Sequence, residues 1–237
     1  MKAPLAFVVA AAALAASAGF AQSKDPSGLG EILVGANRNS VPYAQNDRPV
    51  VGLRRRRADA AVMVLTISSD SRDEAVRKQE IHTVLLSTID KAAAAGLEVV
   101  WGSVQLLPVT KANYTGWPLY GAGRADTSQV SVLIKGKLDG GASDTQVRLH
   151  TFVRGIKGSG RATIGYNGTI QLTVVNPDQY RSAIISLVAE DARQTAALFG
   201  PNFTFNVTGI DGQVAWSQVS PSDVFLYIPY RYVIFPK

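Results

Sequence analysis

The sequence predicts an α+β fold, in which a largely antiparallel sheet carries two long helices on one face. Three observations lead to this prediction. Apolar residues alternate with polar ones along several stretches, two other stretches repeat apolar residues at helical spacing, and strand-like segments close the chain. Helices set between strands, with neighbouring strands at the end, are typical of this class.

The first strand and helix are predicted from residues 60–96. In AVMVLTIS, alternate residues point to opposite faces, so at least one face of the strand is buried. Ser71 and Glu74 have the spacing of a capping box, which predicts a hydrogen bond from the Glu74 amide to the Ser71 hydroxyl. The helix that follows ends at Gly96. Its predicted buried positions are Ile81, Leu85, Ile89 and Ala92.

The middle of the chain is predicted to contain two strands, a segment that is either a helix or a strand, and a broken strand. Residues 97–109 and 128–138 have strand character, and the Thr, Val and Phe content of residues 144–154 leaves helix and strand open there. Residues 161–175 indicate a strand broken near Asn167-Gly168, a pair that favours a tight hairpin. The preceding glycines at 155, 158 and 160 indicate a turn, because a strand and no helix follows them.

The second long helix is predicted from residues 176–200. Asn176 is expected to cap it, Pro177 to occupy the first turn, and Gly200-Pro201 to end it. Its predicted buried face contains Ile184, Val188 and Phe199. Three strands are then expected in FTFNVTGI, VAWSQVS and DVFLYIPYRYVIF. The aromatic residues of the last segment are expected in the core, with an edge or a bulge at Pro229.

The N-terminus predicts export. Residues 1–21 have the positive start, apolar centre and small-residue end of a cleaved signal peptide. Residues 22–57 are rich in Gly, Pro, Asn and Ser, which indicates an extended arm with one short strand near Ile32 to Val34. Residues 58–237 form the predicted α+β domain. The chain has no cysteine, so disulfides and thiolate sites are excluded, and a periplasmic location is expected.

The charge pattern concentrates on one run of four arginines, Arg54, Arg55, Arg56 and Arg57. They precede an alternating stretch, so we interpret them as the charged entrance of a strand, where only alternate side chains share a face. A contact with an anionic envelope component or with another subunit is the alternative. Nucleic acid is not an expected partner, because no exposed aromatic residues or recognition helix adjoin the run.

Catalytic, cofactor and metal sites are not predicted. The chain has two histidines, His82 and His150, and neither has a histidine or carboxylate four residues further on to form a ligand pair. No G-x-S-x-G motif occurs. We therefore expect a protein without enzymatic activity, and an enzyme of unknown type remains the weaker alternative.

Four other residues are candidates for structural or interaction roles. Asp191 falls near the apolar face of the second long helix, where a carboxylate needs a partner, so Asp191 and Arg193 are predicted structural anchors. Trp117 and Tyr120 lie in a polar connection at residues 111–127, where exposed aromatic rings can anchor a partner. A deep pocket near Trp117 would favour the alternative function of a ligand-binding accessory to outer-membrane transport.

Residues 58–237 resemble the SIMPL-domain family of bacterial envelope proteins. The resemblance lies in the strand and helix of ADAAVMVLTISSDSRDEAVRKQEIHTVLLSTIDKAAAAGL and in the Asp191-Ala192-Arg193 triplet of NPDQYRSAIISLVAEDARQTAALFG. It implies a periplasmic or outer-membrane-associated protein, sometimes a homo-oligomer, with links to envelope stress tolerance. The expected function is a non-catalytic assembly or interaction module whose partners are other copies, an envelope protein or an anionic envelope component.

Overall fold

The computed structural model describes residues 31–34, 53–139 and 141–237. It has three α-helices and antiparallel sheets, which confirms the α+β class. The predicted signal peptide and most of the predicted arm lie outside the described residues. The two described parts of the arm are strands, β1 (Glu31–Val34) and β2 (Leu53–Arg57). Strand β1 confirms the short strand expected there.

The body follows in chain order. The helices are α1 (Glu74–Ala94), α2 (Ala142–Gly155) and α3 (Arg181–Leu198). The strands are β3 (Ala60–Ser69), β4 (Glu98–Trp101), β5 (Leu107–Pro108), β6 (Tyr120–Gly121), β7 (Ser128–Lys137), β8 (Thr163–Gly165), β9 (Ile170–Val175), β10 (Phe203–Thr208), β11 (Ala215–Gln218), β12 (Asp223–Tyr227) and β13 (Arg231–Pro236). Helix α2 shows that residues 144–154 are helical.

The central sheet has the strand order β1-β9-β3-β7-β4-β5, with β6 also paired to β7 and β8 to β3. Helices α1 and α2 cover one face of β3 and β7. Met63, Leu65 and Ile67 point to that face and are fully buried, as their alternation predicts. Helix α3 packs mainly on β10, and its buried residues Ile184 and Val188 join the same core.

The first and last strands of the central sheet, β1 and β5, approach each other on the face that α1 and α2 do not cover. The Leu33 amide donates to the Val104 carbonyl at 3.1 Å, and the Leu106 amide donates to the Glu31 carbonyl at 2.9 Å. A second, smaller apolar cluster lies beneath this closure and includes Leu33, Leu106 and Val62. The part of this face nearest the end of β3 carries polar residues instead.

Asp73, and not Ser71, caps α1. The Asp73 carboxylate accepts a hydrogen bond from the Val76 amide at 3.0 Å, so the predicted capping box is wrong by two positions. The Ser71 hydroxyl donates to Glu80 at 2.8 Å, and the Ser69 hydroxyl donates to the same oxygen at 2.5 Å. The other Glu80 oxygen accepts from the Arg161 amide at 3.0 Å. Glu80 therefore connects α1 to the end of β3 and to the turn before β8.

These hydrogen bonds make stability depend on the ionisation of Glu80. The Ser69 hydroxyl, followed by the Arg161 amide, holds the pKa of the Glu80 carboxyl below its ordinary value of 4.5. A lowered folded-state pKa stabilises the fold above pH 4.5, and this stabilisation is lost as pH falls through the folded-state pKa. We expect Glu80→Gln to lower the free energy of unfolding at pH 7, measured by urea unfolding. The difference in this free energy between the variant and wild type should shrink towards pH 3. A difference that is constant with pH would contradict this role.

Residues 97–109 form two strands and not the single one predicted. Strands β4 and β5 are antiparallel partners, with Val100 opposite Pro108. The turn between them requires Gly102, whose φ is +139°. A Cβ atom at this position would lie 1.9 Å from the Gln105 carbonyl oxygen. The single glycine inside an apolar run therefore marks the break.

Strands β8 and β9 do not form the predicted hairpin. Both pair antiparallel with β3, β8 opposite residues 66–68 and β9 opposite residues 60–63, so the chain continues in one direction along one edge. Asn167 and Gly168 lie in the interruption, where the Asn167 side chain accepts from the Thr169 amide at 3.0 Å. The Asn-Gly pair thus makes a local turn without reversing the chain.

Two details of the second predicted long helix are also wrong. Asn176 has a left-handed backbone (φ 42°) and caps nothing with its side chain; a short 3₁₀ turn at Pro177–Tyr180 precedes α3. Phe199 lies just beyond the end of α3 and is 58% exposed, because the buried stripe of the helix ends with Ala196. The end at Gly200-Pro201 agrees with the prediction.

Two smaller sheets complete the fold. One has the order β11-β12-β2, and the other pairs β10 with β13. Leu226 and Val224 on β12 are fully buried and belong to the same apolar core as the central sheet. The chain changes sheet around Pro229, since β12 and β13 pair with different strands. The break predicted at this proline is therefore present.

Candidate functional site

An exposed apolar surface lies at the C-terminal end of the molecule. Leu198 and Phe199 at the end of α3 are 86% and 58% exposed, and Val233 and Phe235 on β13 are 66% and 42% exposed. These four residues are called the C-terminal apolar patch below. Large apolar side chains that cluster on a surface are typical of protein interaction sites. This patch was not predicted from the sequence, and the prediction that Phe199 lies on the buried face of the helix is wrong.

The patch spans the two faces of the β10–β13 ribbon. The Phe199 ring lies 5.9 Å from the Phe203 ring, centroid to centroid, and Phe203 is opposite Pro236 in the β10–β13 pair. The C-terminal Lys237 amide donates to the Asn202 carbonyl at 2.8 Å and holds the end of β13 beside the turn after α3. The Phe199 ring therefore lies on the face of the ribbon that carries Pro236, and Val233 and Phe235 point to the opposite face, so the patch has two sides.

The outer edges of the β10–β13 ribbon pair with no other strand in the part of the chain that the structure describes. Among the described residues, β10 and β13 pair only with each other. The outer edge of β13 thus presents backbone N–H and C=O groups in a strand whose middle is uncharged, from Tyr232 to Phe235. Natural edge strands usually carry a charge, a bulge or a proline that prevents pairing. Here Pro236 lies only at the end of the strand.

The four arginines lie in β2, which is a strand of its own and not the entrance of β3. Arg57 is opposite Asp223 and Arg56 is opposite Val224 in the antiparallel pair of β2 with β12. The Arg57 side chain is exposed. The structure describes the backbone of Arg54 and Arg55 in this strand, and both arginines therefore belong to the folded body.

Trp117 and Tyr120 have opposite environments. Trp117 is 9% exposed and packs against Trp101, with ring centroids 4.8 Å apart, so its predicted exposure is wrong. Tyr120 is 50% exposed on β6, next to Gln129 of β7. Neither of the two surface grooves described below includes Trp117 in its lining.

Asp191 has the partner that its position requires. The Tyr230 hydroxyl donates to the Asp191 carboxylate at 3.2 Å, and burial together with this carboxylate raises the pKa of Tyr230. The contact joins α3 to the segment that leads into β13. Arg193 is not part of this anchor, because its side chain is 65% exposed and forms a surface ion pair with Glu190.

The aromatic residues of the last two strands are only partly in the core. Leu226 and its neighbours fill the buried face of β12, so Phe225 and Tyr227 lie on the other face and stack with centroids 5.4 Å apart. Tyr230 and Tyr232 stack in the same manner at 6.1 Å. Phe235 is exposed in the patch. The expectation of core packing is therefore wrong for Phe235 and partial for the others.

The two histidines do not meet a carboxylate in a cleft. His82 lines a groove of about 420 Å³ with Lys78 and Tyr114, and no acidic residue lines this groove. Burial, followed by the charge of Lys78, lowers the pKa of His82. The imidazole is in edge contact with the Tyr114 ring at 5.6 Å. His150 lies half-buried on α2, in a different helix.

A second groove, of about 490 Å³, lies at the start of α1. Its lining includes three arginines and three aspartates. Arg161 forms a bidentate ion pair with Asp70, both distances being 2.8 Å, and Arg124 pairs with Asp126 at 3.1 and 3.2 Å. Arg161 holds the pKa of the Asp70 carboxyl below its usual range. The groove is therefore polar but close to electrically neutral.

Within residues 31–34, 53–139 and 141–237, no three His, Asp or Glu side chains come together as ligands for a metal ion. None of the helices in these ranges combines the length and the apolar character needed to span a membrane.

Comparison with known proteins adds no assignment. No family model, no curated protein and no solved structure matches this chain.

Proposed function

We propose that this protein is a non-catalytic interaction module of the bacterial periplasm that associates with a second copy of itself through the C-terminal apolar patch. The observation that carries the proposal is the exposure of Leu198, Phe199, Val233 and Phe235 beside a strand edge that pairs with no other strand of the described residues. Covering exposed apolar area is favourable by about 25 cal/mol per Å². An open strand edge adds backbone hydrogen bonds to the same contact.

A second copy suits this surface because an antiparallel pair of identical strands closes around a two-fold axis. If Val233 faces its own copy, Arg231 lies opposite Phe235 and the like charges of Arg231 and Lys237 do not oppose each other. This register also brings the exposed face of β13 together, with Val233 at its centre.

The location in the envelope is supported by residues 1–21 and by the resemblance of residues 58–237 to SIMPL domains. In that setting, a stable pair of copies presents two equal surfaces to an envelope partner. The arginines of β2 place positive charge on the neighbouring three-stranded sheet, where an anionic envelope component is the expected partner.

The test is the mass of the purified protein in solution, measured by light scattering after size exclusion. We expect wild type to have twice the mass of one chain at micromolar concentration. The double variant Leu198→Lys and Val233→Lys should be monomeric, with a dissociation constant raised at least about tenfold, which corresponds to about 1.4 kcal/mol. Lysine suits both positions when unpaired, since it is favourable at a helix C-terminus and at a strand edge.

The matched control adds the same two charges elsewhere. Val147 on α2 and Val219 after β11 are 61% and 55% exposed, so Val147→Lys with Val219→Lys should leave the pair of copies intact. A monomeric wild type at all accessible concentrations would contradict self-association. Equal masses for the two double variants would show that the C-terminal apolar patch is not the interface.

A further inference from the structure

The uncovered part of the central sheet carries an ordered row of neutral polar side chains. Cross-strand partners in an antiparallel sheet lie on the same face. Tyr120 is opposite Gln129, Gln129 is opposite Ser68, and Ser68 is opposite Thr163. The row therefore crosses four strands, β6, β7, β3 and β8, and is about 14 Å long at about 4.8 Å per strand.

A second row of hydroxyl groups lies beside the first. Thr66 and Ser131 are cross-strand partners, and their hydroxyl oxygens are 3.1 Å apart. In the first row, the Ser68 and Thr163 hydroxyls are 3.0 Å apart. A hydroxyl has one donor and two acceptor positions, so each pair keeps capacity for a ligand after bonding to its neighbour. The two rows together are called the hydroxyl face.

The hydroxyl face continues into the neutral groove at the start of α1. Asp70 lies two residues beyond Ser68, and Arg161 lies two residues before Thr163, so their ion pair extends the β3–β8 ladder on the same side. Each arginine of an Arg–Asp pair has its charge balanced by the partner carboxylate. The surface thus offers many donors and acceptors but little net charge.

We propose that the hydroxyl face binds an extended, uncharged β-1,4-linked glycan. Such a chain is a flat ribbon, which fits an uncovered sheet, and its hydroxyls both donate and accept hydrogen bonds. Tyr120, half exposed at the end of the row, offers a ring for the apolar C–H face of one sugar. Hydroxyl, amide and paired carboxylate groups match the ring substituents along the rest of the row.

The charge balance selects this ligand over the anionic alternatives. A polyanion such as a sulfated glycan gains its affinity from unpaired cations. In the groove, Arg124 and Arg161 are bound to Asp126 and Asp70, and the charge of the third arginine, Arg72, is matched by the third aspartate, Asp73. The hydroxyl face contributes no further cation among Tyr120, Gln129 and the four Ser and Thr residues. A neutral glycan needs no unpaired cation, so these ion pairs do not lower its affinity.

The experiment is isothermal titration calorimetry with cellohexaose and chitohexaose, which are neutral β-1,4-linked hexasaccharides. We expect one or both to bind wild type. The variant Tyr120→Ala combined with Ser131→Val should bind at least about tenfold more weakly. Both side chains are exposed, so the fold is expected to persist, and circular dichroism checks this. The control Phe199→Ala removes an exposed ring at the other end of the molecule and should bind as wild type does.

Three results would overturn the proposal. The first is no heat of binding for either hexasaccharide at millimolar concentration. The second is equal binding by wild type and the hydroxyl-face variant. The third is equal or tighter binding of maltohexaose, which is not a flat ribbon, or of a sulfated hexasaccharide. The proposal is independent of self-association, because the hydroxyl face and the C-terminal apolar patch lie on different sheets, so either can fail alone.

Discussion

Lys135→Ala is expected to lower the free energy of unfolding by about 3 kcal/mol. The Lys135 and Glu31 side chains are 14% and 12% exposed and form an ion pair on the closed face of the central sheet. Glu31 also accepts a hydrogen bond from the buried Thr173 hydroxyl. Removing the ammonium group leaves a carboxylate that is largely out of water without its cation. The loss of this partner also weakens the attachment of β1, where Glu31 lies.

Urea unfolding at pH 7 measures this effect, and two variants serve as controls. Glu98 contacts the same ammonium group at 2.9 Å but is 53% exposed, so Glu98→Ala should cost less than about 1 kcal/mol. Replacing both partners, Lys135→Met with Glu31→Leu, should recover much of the loss, because no unpaired charge remains. If Lys135→Ala costs no more than Glu98→Ala, the buried ion pair does not hold β1 in place.

Leu226→Ala should destabilise the whole protein by about 2–5 kcal/mol in a single unfolding transition. Leu226 is fully buried on β12, outside the central sheet, yet it belongs to the same apolar core as Leu65 of β3. A cavity at Leu226 therefore affects contacts that both sheets share. Thermal unfolding followed by circular dichroism and by tryptophan fluorescence should show coincident transitions, both shifted to lower temperature.

The control for this prediction is the same substitution at an exposed site. Leu198 is 86% exposed, so Leu198→Ala should change the unfolding free energy by no more than about 0.5 kcal/mol in dilute solution. Two separate transitions for Leu226→Ala, with only one of them shifted, would show that the C-terminal sheets fold apart from the central sheet. The predicted single domain at 58–237 would then be wrong.

The elements with strong local patterns were predictable from the sequence. The alternation of Met63, Leu65 and Ile67 gave β3 and its buried face, and the spacing of Ile81 and Leu85 gave α1. The details that failed depend on tertiary contacts. Ser71 has the spacing of a capping residue, but in the folded protein its hydroxyl donates to Glu80 instead. Asn167-Gly168 favours reversal, but β3 offers both flanking strands one continuous edge.

The candidate site was harder to predict because exposure of apolar residues has no local signature. Phe199 fits the helical spacing of Ile184 and Val188, yet the helix ends one residue earlier and turns its ring outward. Trp117 lies in a polar loop, yet its ring packs against Trp101 of β4 and is buried. The hydroxyl face exists only through the pairing of four strands that are distant in sequence.

Amide hydrogen exchange in β13, measured at low and high protein concentration, tests self-association most directly. The outer edge of this strand has no strand partner among the described residues of a single chain. Pairing between copies predicts that those amides of residues 231–235 that point to the outer edge exchange more slowly at high concentration, while the amides of the enclosed strand β3 do not change. The Leu198→Lys and Val233→Lys variant should lose this dependence. Exchange in β13 that is independent of concentration in wild type would contradict assembly through this edge.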